Sequence, residues 1–146
     1  MFNKILIVCT GNICRSPLAE ALFNMHVPSL QVRSAGIVVT ENDLDGYHAE
    51  PNAIAVASAH GLDISQHYAK QITAADVKEN DLILTMSQNH ASQLAYSFSG
   101  AKAKTLLIGQ WINVGHVRDP LGKSVNEFEE CYTTLEKAVL SWKNRL

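Results

Sequence analysis

Short apolar runs alternate along the chain with segments whose apolar residues recur every three or four positions. Ile5-Leu6-Ile7-Val8 is a continuous branched run, the pattern of a strand buried on both faces. It stops at Cys9-Thr10-Gly11. A helix is expected next, with Leu18, Leu22 and Met25 on one face, Ser16 as its N-cap and Pro17 in its first turn. Leu30 to Ala35 reads as a second strand. Gly36 opens a long loop that Asp43, Asp45, Gly46 and Asn52 mark as irregular. Pro51 can open a helix and Gly61 can close it; Thr73 to Asp76 starts a shorter one. Asp81 to Thr85 is the third strand, followed by a helix capped near Ser87, and Thr105 to Ile108 is the fourth. The last helix opens on the capping-box pattern Ser124-Val125-Asn126-Glu127. Its apolar face repeats as Phe128, Cys131, Leu135, Val139 (or Ala138) and Trp142.

Strands alternating with helices predict an α/β layer fold with a mainly parallel sheet. Ligands of such sheets bind beyond the carboxyl ends of the strands. No repeat, low-complexity tract or linker interrupts the pattern, so residues 1–146 read as one domain. Hydrophobic residues make up 47% and charged residues 18%, enough for a real core. The formal net charge is −2 and the basic residues are scattered, which excludes a general nucleic-acid surface. No apolar stretch has the length of a membrane span, so no membrane insertion is expected. The amino terminus lacks a basic lead and a small-residue cleavage site, so the expected location is cytoplasmic. Three cysteines cannot complete a disulfide framework, and the six dispersed histidines show no zinc spacing. Neither a metal nor a cofactor is expected.

That leaves the segment Cys9-Thr10-Gly11-Asn12-Ile13-Cys14-Arg15-Ser16-Pro17, where the first strand turns into a helix. A helix amino end offers unpaired N–H groups and partial positive charge. A loop eased by Gly11 can aim further N–H groups inward as an anion nest. Arg15 adds a planar fork of donors that matches two phosphate oxygens. A Cys9 thiolate would be stabilised by the same groups, which makes Cys9 a candidate nucleophile. These residue types alone also fit a plain buried cysteine at a strand end and a surface arginine.

The extended run from Cys9 to Pro17 resembles the phosphate-binding loop of low-molecular-weight protein tyrosine phosphatases. The similarity continues through Ser34-Ala35-Gly36, Gly61-Leu62-Asp63-Ile64-Ser65 with His67 and Ala69, Asp81 to Met86, and Arg118-Asp119-Pro120. The chain most resembles bacterial members paired with tyrosine autokinases of exopolysaccharide or capsule export. The resemblance implies a three-layer α/β sandwich with a four-stranded sheet in the order 2-1-3-4 and helices on both faces. It implies a catalytic set of Cys9, Arg15 and Asp119, with Cys9 as nucleophile and Asp119 as general acid, then base. Thr10, Gly11, Asn12, Ile13, Cys14 and Ser16 would complete the phosphate loop, Ser16 bonding the thiolate. Asn12, Ser34 and His67 would brace it. The implied partners are a phosphotyrosine protein, such as a bacterial tyrosine autokinase, and phosphate-like anions. Under oxidation Cys14 could pair with Cys9, whereas Cys131 sits on an apolar helix face.

The chain departs from the family pattern where an aromatic wall is common. Leu121 and Gly122 follow Asp119-Pro120, and no aromatic lies in Ile37-Val38-Val39-Thr40. Val39, Leu121 and Ile13 are the candidate wall residues in their place, and Ser87 stands where an acidic residue is common. Two other readings share the layout. An arsenate reductase on this fold needs two further cysteines close together in mid-chain, and neither Cys14 nor Cys131 lies there. A phosphocysteine carrier module needs no acid, and Arg15-Ser16 with Asp119-Pro120 argue against it.

Overall fold

The computed structural model describes residues 2–146. Its four strands are β1 (Lys4–Cys9), β2 (Gln31–Gly36), β3 (Leu82–Thr85) and β4 (Thr105–Leu107), and its five α-helices are α1 (Arg15–His26), α2 (Pro51–Ala59), α3 (Ala74–Glu79), α4 (Gln88–Ser97) and α5 (Val125–Lys143). The sheet order is β2-β1-β3-β4, and every pairing is parallel. The expected order and class are met, and the sheet is wholly rather than mainly parallel.

The branched run of β1 explains the layering. Its side chains alternate, so Ile5, Ile7 and Cys9 enter one buried cluster, while Leu6 and Val8 enter the other. The first cluster is closed by α1, α2 and α5 through Leu18, Leu22, Phe23, Val56, Phe128, Leu135 and Val139. The second is closed by Val77 of α3 and Leu94 of α4. β1 is therefore covered on both faces, and Cys9 at its end is delivered to the carboxyl edge of the sheet.

Local signals set most helix ends. Glu50 caps α2, its carboxylate accepting from the N–H groups of Asn52 and Ala53. Gly61 at φ +81° allows the Leu62 N–H to reach Ala57 O (2.8 Å) and its own N–H to reach Ser58 O (3.0 Å), which ends the helix. Thr73 and Asp76 form a complete capping box on α3, and Ser87 caps α4.

Four expectations are corrected. Met25 is 44% exposed, and Phe23 is the residue buried beside Leu22. Ser124 stands at the start of α5 without a side-chain cap, so its capping box does not form. Ser16 is not an N-cap either: α1 begins at Arg15 with Cys14 as cap residue, and the Ser16 hydroxyl points at Cys9 instead. Asp81 precedes β3. Its carboxylate accepts from the N–H groups of Asn3 (2.8 Å) and Lys4 (2.9 Å), which hold it below the usual carboxylate range and pin the start of β1. Among the described residues, no helix is long and apolar enough to cross a membrane.

Candidate active site

Residues 10–14 turn back on themselves between β1 and α1, and all their carbonyls but that of Gly11 are tied away from the turn. Cys9 O accepts from Ile37 N and Thr10 O from Val38 N, both at 3.0 Å. Asn12 O accepts from His67 Nε2 (2.6 Å) and Ile13 O from Glu50 N (2.7 Å). Among the described residues, the N–H groups of Gly11, Asn12, Ile13 and Cys14 have no protein acceptor. A loop with its carbonyls engaged outside and its amides free is a nest for an anion. Gly36 lets the end of β2 press against it. A methyl group there would lie 2.8 Å from Thr10 O, 3.0 Å from Asn12 N and 2.5 Å from Val39 Cγ2.

Asn12 is the keystone of this turn. It is fully buried, with φ +57°, a conformation Asn tolerates better than most residues. Its Oδ1 accepts from the Lys70 N–H (2.9 Å), which fixes the amide so that Nδ2 faces two hydroxyls. Nδ2 donates to Ser34 Oγ at 3.0 Å and to Ser16 Oγ at 2.7 Å. Because Ser16 Oγ already accepts from Asn12, its own proton is free to donate to Cys9 Sγ, 2.9 Å away.

Arg15 is held from two sides. Its side chain is almost wholly buried, with Nη1 donating to Val117 O (2.8 Å) and Nη2 to Thr10 Oγ1 (3.1 Å). Thr10 Oγ1 is also hydrogen-bonded to His90 Nε2, 3.0 Å away. Burial, then the nearby Arg15 charge, lowers the His90 pKa to about 4, so the ring stays neutral at neutral pH. The remaining Arg15 donors are left for a ligand. Asp119 Oδ2 lies 3.5 Å from Nη2, and its half-exposed carboxylate is steadied by the Leu121 N–H on Oδ1 (3.1 Å).

These groups enclose a depression of about 70 Å³, the scale of a phosphoryl group rather than of a whole aryl phosphate. Residues 9–15 line it together with Asn42, Leu44, Asp119 and Leu121. A larger depression of about 570 Å³ runs along α4 and β4, but no Cys, Arg or Asp lines it. Leu121 is 48% exposed at the mouth and can meet an aryl ring, and Ile13 also lines the site. Val39 does not: it is fully buried beneath Gly36 and has no surface to offer. Leu44 takes that side instead, near Gly11.

The sequence reading missed Leu44, Asn42, His90 and the Val117 carbonyl. A polar loop hid the first two, and His90 had no motif neighbour; a backbone carbonyl leaves no trace in sequence at all. No group of three or more His, Cys, Asp or Glu side chains among the described residues is placed to hold a metal.

The sequence model of the low molecular weight phosphotyrosine protein phosphatases matches residues 4–146. The low molecular weight protein-tyrosine-phosphatase Wzb of Salmonella typhi is 44% identical over 146 residues, spanning 100% of this chain and 95% of that protein. Vibrio vulnificus Wzb, solved with benzylphosphonate, superposes with a TM-score of 0.97 at 38% identity over 100% of both chains. Wzb of Escherichia coli K30, solved with sulphate, gives a TM-score of 0.93 at 36% identity over 99% of each chain. With its strand order, its free loop amides and these likenesses agreeing, the chain belongs to the low molecular weight phosphotyrosine protein phosphatase family.

Proposed function

We propose that the protein hydrolyses phosphotyrosine through a phosphocysteine on Cys9. The free amides of residues 11–14 and the Arg15 fork hold the equatorial phosphoryl oxygens, where charge must be stabilised. Cys9 Sγ attacks phosphorus, and the tyrosyl oxygen leaves with a proton from Asp119. Asp119 then takes a proton from water as that water attacks the phosphocysteine. Phosphate departs, and the returning thiolate is received by the Ser16 hydroxyl.

The observation that carries this reading is the directed chain Asn12 Nδ2 to Ser16 Oγ to Cys9 Sγ, which orients a hydroxyl proton onto the sulfur. A merely structural cysteine has no need of it. Two likenesses add support: one relative is solved with benzylphosphonate and another with sulphate.

The physiological substrate we propose is a phosphotyrosine protein, specifically a bacterial tyrosine autokinase of polysaccharide export, on the strength of the family resemblance and of relatives named Wzb. Hydrolysis of a phosphotyrosyl peptide by wild type and Cys9→Ser, with EDTA present, tests the chemistry. Wild type is expected to turn over undiminished and Cys9→Ser not at all. Loss of activity in EDTA, or retention in Cys9→Ser, sinks the proposal.

A further inference from the structure

Three free thiols, Cys9, Cys14 and Cys131, are buried in one cluster, and the chemistry above uses only Cys9. Cys14 stands between the other two. It lines the active-site depression together with Cys9, and it shares a buried cluster with Cys131 of α5, the neighbour that perturbs its thiol most. Cys131 in turn lines a separate depression of about 210 Å³. The segment after Val117 divides the two spaces: Asp119 and Leu121 line the active-site side, Arg118 and Pro120 the other. A row of sulfurs thus leads from the phosphate loop to a second opening.

We propose that Cys14 and Cys131 form an oxidisable pair that takes over the disulfide when a peroxide oxidises Cys9, returning Cys9 to its thiolate. The sequence balances with hydrogen peroxide as the only oxidant. The Cys9 thiolate attacks a peroxide oxygen, giving the sulfenic acid and hydroxide. The Cys14 sulfur displaces that hydroxyl as water, forming the Cys9–Cys14 disulfide. Cys131, losing its proton to solvent, then attacks the Cys14 sulfur. The Cys9–Cys14 bond breaks, its electron pair leaves on Cys9, and the Cys14–Cys131 bond forms. One peroxide has oxidised two thiols, and Cys9 is reduced again.

The direction of exchange follows from the two possible leaving sulfurs. Exchange is faster when the departing thiolate is the better stabilised one. Cys9 departs into the Ser16 hydroxyl and the amide cradle. Cys14 has no such reception: the adjacent Cys131 thiol, then burial, raises its pKa and disfavours its anion. Attack at Cys14 with Cys9 leaving is therefore preferred to the reverse. The Cys9 sulfur is then free, and a small thiol can reach Cys131 through the second depression and reduce the pair. The relay rests on the reading of Cys9 as the reactive thiol.

The test is a peptide map under non-reducing conditions after brief peroxide treatment and quenching with catalase, on wild type, Cys131→Ala and Cys131→Ser. Wild type is expected to yield the Cys14–Cys131 disulfide and to regain aryl-phosphate hydrolysis without added thiol. Both variants are expected to match wild type before oxidation, and afterwards to hold Cys9–Cys14 and stay inactive until a thiol is added. A stable Cys9–Cys14 disulfide in wild type, or equal recovery in the variants, overturns the relay. Cys9→Ser keeps this separate from the phosphatase reading. Inactive Cys9→Ser with no Cys14–Cys131 bond in oxidised wild type refutes the relay alone, whereas active Cys9→Ser refutes the reading beneath it.

Discussion

Replacing Asn12 by alanine removes the side chain on which the phosphate loop is hung. The Lys70 N–H loses its acceptor, and the Ser16 and Ser34 hydroxyls each lose a donor. At about 1 kcal/mol net for each bond, the three contribute about 3 kcal/mol. Alanine must also adopt φ +57°, which adds about 1 kcal/mol. A total near 4 kcal/mol is a large share of the stability of an ordinary domain. For a chain of 146 residues it lowers Tm by roughly 10–15 °C. Asn12→Gly removes the same bonds without the φ penalty, so it should melt a few degrees above Asn12→Ala. Thermal unfolding followed by circular dichroism gives both values, and aryl-phosphate hydrolysis should fall in both variants because Ser16 is no longer oriented. An Asn12→Ala Tm within about 3 °C of wild type, or one above that of Asn12→Gly, would refute the reasoning about this turn.

Three further expectations follow from the site. Asp119→Asn should lower kcat for phosphotyrosine about 10²–10⁴-fold but have much less effect on phosphorylation of Cys9 by p-nitrophenyl phosphate, whose leaving group needs no proton; equal losses in single-turnover kinetics would contradict the acid role. His90 has a folded pKa of about 4, below its ordinary 6.5, so the unfolded chain takes up the proton first as pH falls. The stability that neutral His90 contributes is complete above about pH 6.5 and is lost as pH falls toward about 4. Urea midpoints should therefore drop more steeply over that window in wild type than in His90→Gln; parallel curves would count against it. Leu121→Tyr should lower KM for a phosphotyrosyl peptide about two- to tenfold through ring stacking worth about 0.5–1.5 kcal/mol, and an unchanged KM would show that Leu121 does not meet the ring.

The parts of the molecule that could be read from sequence are those fixed by local chemistry. The branched run of β1, the Thr73–Asp76 box and the Pro51 to Gly61 helix each carry their own signal, and the structure follows them. Cys9, Arg15 and Ser16 were legible as a group because they occupy one short turn. Ser16 was nevertheless misread as a cap, since its hydroxyl had a better use across the loop than at the helix end. Ser124 shows the opposite failure, a capping pattern without the capping bond. What sequence could not supply is the convergence of distant segments. Val39 reads as an available apolar residue until Gly36 and the loop bury it, and Leu44 reads as a loop residue until the turn brings it over Gly11. His90 reaches Thr10 across 80 positions, from the start of α4.

In the proposed reaction, phosphate passes through a covalent bond to Cys9. Asp119→Ala should still accept phosphate from p-nitrophenyl phosphate, yet release it slowly because no base activates the water. Rapid acid quenching followed by mass spectrometry of the peptide carrying Cys9 reads the result directly. The expected result is the added mass of one phosphoryl group on Cys9, absent in Cys9→Ser; an unmodified Cys9 during turnover, or phosphate on any other residue, would contradict a phosphocysteine intermediate.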